Sequence, residues 1–149
     1  MTKLVQALLS GIFFTFLLDV FLFAGIKLHY IDYHHIDLYY NILFADHQNI
    51  YIFTLFTLLI GFLVTYIKNV KISLTIIGFF FFLVSTTLLI APIGENVGEI
   101  ILMQKNIKLK DKRYTYTGDS YYNGRKFITF YDYELKKVII LDKKRLLNP

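Results

Sequence analysis

The chain has 149 residues, 56% of them hydrophobic, with a formal net charge of +5 and a mean hydropathy of +0.51. That apolar share lies above the roughly 45–50% of a soluble domain and falls almost entirely before Pro92, which excludes an ordinary soluble globular protein. With no cysteine, disulfides, thiolate zinc sites, iron–sulfur ligation and cysteine nucleophiles are excluded as well.

The first element is the run Leu4–Leu28, apolar apart from Gln6, small and hydroxyl residues, Asp19 and Lys27. Its length suits a bilayer core of roughly 30 Å. It exceeds the roughly 7–15 residues of a signal-peptide core and no small-residue cleavage site follows, so it reads as an uncleaved membrane helix. Asp19 stands out, because a carboxyl group near the middle of such a helix costs on the order of 3 kcal/mol to insert and needs a partner. Steps of four residues place Ala7, Gly11, Thr15 and Asp19 on one stripe. The segment Leu17–Phe23, LLDVFLF, resembles the membrane-aspartate stretch of proton-driven motor stators over those few residues only; the rest of the chain departs from that pattern.

The connector His29–Asn49 carries all four histidines, with Asp32, Asp37, Asp46 and several tyrosines between them. Its aromatic and amphipathic character belongs at a membrane interface, and the spacing of Ile36, Tyr39, Tyr40, Leu43 and Phe44 predicts a short helix over 36–45. A second span is expected at about Ile50–Ile67 and a third at about Ile72–Ala91, joined by the basic turn Lys68–Lys71. Pro92 and Gly94 are expected to stop the third helix.

From Gly98 the pattern becomes strand-like. Four short segments are separated by KDKR, by Asn123-Gly124 and by Leu135-Lys136. Asn-Gly predicts a tight hairpin with positive φ at both positions. Between Phe127 and Tyr133 the odd-numbered residues share one face, and Ile128, Phe130 and Asp132 share the other. The expected architecture is an integral membrane α-helical protein with three transmembrane helices over 1–97. A small basic antiparallel β domain follows over 98–149, as a sheet or partly closed barrel. A unit of about fifty residues is near the lower limit for a self-sufficient core. Lys3 and the Lys68–Lys71 turn favour the cytoplasmic side of a bacterial-type inner membrane, leaving the connector and the β domain periplasmic.

Three groups of residues are candidates for function. The first is Asp19 with the small and hydroxyl residues Gly11, Thr15, Thr57, Gly61 and Gly78, which would let helices approach and hydrogen-bond. Asp19 is expected to be protonated and bonded to a Thr or Ser of the bundle. The alternatives are a contact with another subunit and a proton- or ion-coupling carboxylate. The second group is His34, His35, Asp37, Asp46 and His47, which have ligand chemistry for zinc, copper or haem but none of the spacings of known sites. An anchoring or partner surface, or a pH-responsive cluster, are the other readings of this group. The third is the basic set Lys108, Lys110, Arg125, Lys126, Lys143 and Lys144, suited to lipid headgroups or a protein partner. No phosphate loop, nucleophile elbow or paired acid–base carboxylates occur, so no enzyme, cofactor or nucleic-acid partner is expected. The sequence points to an accessory, scaffold or assembly subunit. Its partners would be membrane lipid and other integral membrane subunits or further copies of itself.

Overall fold

The computed structural model describes residues 2–147. Helix α1, Lys3–Ile26, runs on without a break through a π-helical turn, Lys27–Ile31. In that turn the Asp32 N–H donates to the Lys27 carbonyl at 3.0 Å, five residues back, and Lys27 Nζ pairs with the Asp32 carboxylate. The rod is 29 residues long, about 43 Å at roughly 1.5 Å per residue, which is longer than a bilayer core.

The chain then reverses. His35 sits in the left-handed region at φ 53° and Ile36 bonds back to the Ile31 carbonyl at 3.0 Å. This reversal holds residues 36–39 out of helix, so α2 is Tyr40–His47 and not the expected 36–45. Helix α3, Ile50–Tyr66, follows at an 85° bend. Asn49 fixes its start, the Oδ1 accepting from the Tyr51 and Ile52 N–H groups at 3.0 and 3.2 Å. Asn69 caps α4, Val70–Leu89, in the same way. The α1 rod and α4 are each long and apolar enough to cross a membrane. The second expected span reaches that length only if α2 and α3 are taken as one bent element, so the count is two or three.

The largest departure from expectation is α5, Ala91–Leu102, which occupies residues read as a helix stop and a first strand. The helix does break, at the extended residue Ile90, but Pro92 then falls in the first turn of a new helix, where no intrahelical donor is needed. Gly94 and Gly98, one turn apart, are contact points. A Cβ on Gly94 would lie 2.9 Å from the His29 ring, and one on Gly98 would strike the Tyr30 side chain. Glycine here lets α5 lie directly against the end of the α1 rod.

Strands β1 (Gln104–Lys110), β2 (Thr115–Asn123), β3 (Phe127–Asp132) and β4 (Lys137–Asp142) form an antiparallel meander in chain order. Ile128, Phe130 and Asp132 face inward, as the alternation requires, and Leu109 and Leu146 complete a small core with the first two. After β4 a 3₁₀ turn, Lys143–Arg145, brings the chain back to β1: Asp111 bridges Leu146, and the Leu147 N–H donates to the Lys110 carbonyl at 2.8 Å. The Asn-Gly hairpin forms without positive φ at either residue. Gly124 donates to the Phe127 carbonyl at 3.0 Å, leaving Arg125-Lys126 as the loop. What glycine supplies there is room, since a Cβ would lie 2.9 Å from the Tyr122 ring. Positive φ occurs instead at Lys136, in a turn where the Asp132 carboxylate accepts from the Glu134 and Leu135 N–H groups.

The sheet is not a separate body. Tyr122 of β2 enters the same core as Phe23, Ile26, Tyr30, Ile31 and Leu43. That core surrounds only the upper third of the α1 rod. Below it α1, α3 and α4 share a thin core of Leu18, Ile60 and Ile77, while Leu8, Phe13, Leu58, Phe62 and Phe82 face outward.

Candidate functional site

The Asp19 site begins with the contact between α1 and α3. A Cβ on Gly11 would fall on the Thr57 carbonyl, and one on Gly61 on the Ala7 carbonyl. The two backbones therefore touch along an antiparallel stripe, as small residues permit. Following that stripe upward, α3 begins at the level of Asp19. Gln48, in the elbow between α2 and α3, donates from Nε2 to Asp19 Oδ2 at 2.9 Å. Tyr40 closes the elbow from above, its hydroxyl donating to the Val20 carbonyl at 3.1 Å.

The partner of Asp19 is thus the connector amide and not a bundle hydroxyl. Thr54, Thr75 and Thr86 spend their hydroxyls on carbonyls of their own helices. Thr15 and Thr57 are buried with their Oγ1 atoms unbonded. Both lie below Asp19 on the stripe. Gly78, expected in a helix contact, faces open space.

The connector residues disperse instead of converging. His29 Nε2 donates to the Leu88 carbonyl at 2.8 Å, tying the rod to the end of α4. His34 packs among Tyr30, Tyr33 and Tyr121, with ring centroids 4.8, 5.1 and 4.3 Å away. Burial lowers the affinity of its imidazole for a proton, Glu95 and Glu99 oppose that shift, and His35 adds to it. Its Nε2 is buried without a hydrogen-bond partner. Asp46 receives Arg125, whose Nε lies 2.9 and 3.1 Å from the two carboxylate oxygens. His47 rests on the Tyr122 ring at 5.6 Å. His35 is exposed, and Asp37 borders a groove beside Arg125. Among the described residues no three His, Asp or Glu side chains come together as a metal site. The reason is geometric: His34 turns into the tyrosines, while Asp46 and His47 leave α2 toward the β2–β3 hairpin.

What the connector does form is a seam between helices and sheet. A bulge in β2 leaves Tyr121 unpaired with β3, and its carbonyl accepts from the Tyr30 hydroxyl at 2.8 Å. Tyr121 stacks on Tyr131, with ring centroids 6.1 Å apart and planes 8° apart. Two residues earlier on β2, Asp119 accepts from the Asn106 N–H at 2.9 Å and from the Tyr133 hydroxyl at 2.6 Å, fixing the β1 bulge. This seam cannot be read from sequence spacing, and neither Asp119 nor Tyr30 is among the sequence candidates. The signal available was the excess of tyrosine on both sides of the seam.

Of the basic set, Arg125 is taken up by Asp46, and Arg125 and Lys126 border a groove of about 620 Å³ floored by Ile42, Phe127 and Ile140. Lys108 and Lys110 lie on β1, and Lys143 and Lys144 in the final turn. On the face of β3–β4 that borders this groove, Thr129 pairs with Ile140 and Tyr131 with Val138, and Ile140 is 71% exposed. Compared with known proteins, the chain matches no family model, no curated protein and no solved structure.

Proposed function

We propose that the chain is a non-catalytic multi-pass protein of a bacterial inner membrane, serving as an accessory, scaffold or assembly subunit of a larger complex. The observation that carries this reading is the distribution of apolar surface. Around α1, α3 and α4 many large apolar side chains point outward, among them Leu8, Phe13, Leu58, Phe62 and Phe82, whereas a soluble monomer rarely exposes large contiguous apolar patches. Above this belt the upper end of the α1 rod is sheathed by α2, α5 and the sheet.

The belt takes the bilayer. Lys3, Lys68 and Lys71 lie at its lower end, which the positive-inside tendency assigns to the cytoplasm, and the sheet then stands on the periplasmic side. The seam through Tyr30, His34, Tyr121 and Tyr122 holds the sheet at a fixed angle to the helices. The exposed apolar residues of β3–β4 beside the α2 groove, Phe127, Val138 and Ile140, are the docking surface for another membrane subunit or a second copy.

Crosslinking in native lipid followed by purification tests this role. A stable set of membrane partners, or a defined homo-oligomer, is expected from the natural sequence and is lost on Ile140→Asp. An unchanged crosslinking pattern in that variant removes the sheet face as the docking surface.

The coupling role for Asp19 is the second reading, favoured by a half-buried carboxylate with one neutral partner. Asp19→Asn separates the two readings. It retains an acceptor for Gln48 and supports assembly in a scaffold, whereas in a proton-coupled element assembly survives and activity disappears.

A further inference from the structure

The turn between β1 and β2 and the last turn of the chain are far apart in sequence and adjacent in space. The Asp111–Leu146 bridge and the bond from the Leu147 N–H to the Lys110 carbonyl hold them together. Each turn carries a basic pair, Lys112-Arg113 and Lys144-Arg145. Both pairs border one concavity of about 460 Å³, which Tyr114 and Tyr116 also line.

The acids nearby do not balance these charges. Asp111 is the one carboxylate in the lining, and it accepts from the Lys112 backbone N–H. Asp142 accepts from the Lys144 backbone N–H at 3.0 Å. The ion pairs Lys27–Asp32, Lys105–Glu99 and Arg125–Asp46 involve none of the four cations.

Lysines at sheet ends ordinarily keep an edge solvated. These four differ in that two separate segments bring them to one hollow, with an arginine in each pair. Gathering like charges this way is unfavourable until an anion enters. Guanidinium forks match phosphate oxygens in two-bond geometry, and lysine adds point charge. Four cations against one carboxylate exceed what a single phosphate neutralises. We propose that this concavity binds an anion carrying two or more phosphate groups, either free in solution or displayed on a lipid headgroup. The site does not depend on the docking role of the β3–β4 face.

The test is titration calorimetry of the full chain in phosphatidylcholine nanodiscs, with inorganic pyrophosphate as the probe and orthophosphate as the comparison. Pyrophosphate is expected to bind saturably, and more tightly than orthophosphate. The double variants K112A/R113A and K144A/R145A are each expected to weaken it by about tenfold or more. K136A/K137A, which removes equal charge from the β3–β4 turn, is expected to leave affinity within about twofold. Arg→Lys at both 113 and 145 keeps the charge and still weakens binding if the forks are used, so a readout remains should an alanine pair fail to fold. Loss of the pyrophosphate signal in discs containing cardiolipin assigns the natural ligand to a lipid headgroup; undiminished binding assigns a soluble one. The proposal is overturned if pyrophosphate does not bind saturably, or if all three double alanine variants weaken it equally.

Discussion

Three side chains decide how the elbow and the seam behave. Asp19 and Gln48 form one hydrogen bond between α1 and the bend that starts α3. Gln48→Leu leaves the carboxyl group without its partner and is expected to destabilise the protein by about 1–3 kcal/mol, the usual cost of an unpaired buried polar group. Asp19→Asn, which keeps an acceptor, is expected to cost well under that; thermal unfolding in detergent compares them. His34 makes the seam sensitive to acid. Burial holds its imidazole below the ordinary value, against the pull of Glu95 and Glu99, so between the two values the unfolded chain binds the proton more readily. Its contribution is complete above an ordinary imidazole value of about 6.5 and declines as the pH falls below it. Melting temperature should therefore drop as the pH falls below about 6.5, and His34→Phe should flatten that drop while His35→Phe, at an exposed position, should not.

At the scale of elements, glycine positions separate contacts from bystanders. Gly11→Ala and Gly61→Ala drive a methyl group into a facing backbone carbonyl and are expected to cost several kcal/mol, about 2–4, by forcing α3 off α1. Gly98→Ala should behave likewise by striking Tyr30. Gly78→Ala has open space and should be neutral or stabilising by up to about 1 kcal/mol, since alanine is the better helix former. Chemical unfolding of the four variants ranks them. These glycines also mark where sequence reading stops. The apolar runs of α1, α3 and α4 and the inward alternation of β3 follow from hydrophobic patterning, which a single chain displays. Helix α5 does not, because Pro92, Gly94 and Gly98 read equally as breakers or as contact residues, and only the neighbouring rod distinguishes the two. The same limit applies at Asp19, whose partner comes from a bend that periodicity does not place, and at His34, whose tyrosine neighbours arrive from β2.

The whole molecule is a helical stem with an apolar lower belt, and a cap in which α2, α5 and the sheet close around the upper end of α1. Tyr122 in the helical core and the Tyr30–Tyr121 bond make stem and cap one unit, so under the proposed insertion what the cap touches is set by how the stem sits. Because the natural chain contains no cysteine, single cysteines can report that placement directly. The decisive measurement is labelling of Leu58→Cys, Asn69→Cys and Lys136→Cys in intact and in permeabilised cells with a membrane-impermeant maleimide. Lys136→Cys is expected to react from outside, Asn69→Cys only after permeabilisation, and Leu58→Cys in neither. Reaction of Leu58→Cys in intact or permeabilised cells, or reaction of Asn69→Cys and Lys136→Cys from the same side, would contradict that placement.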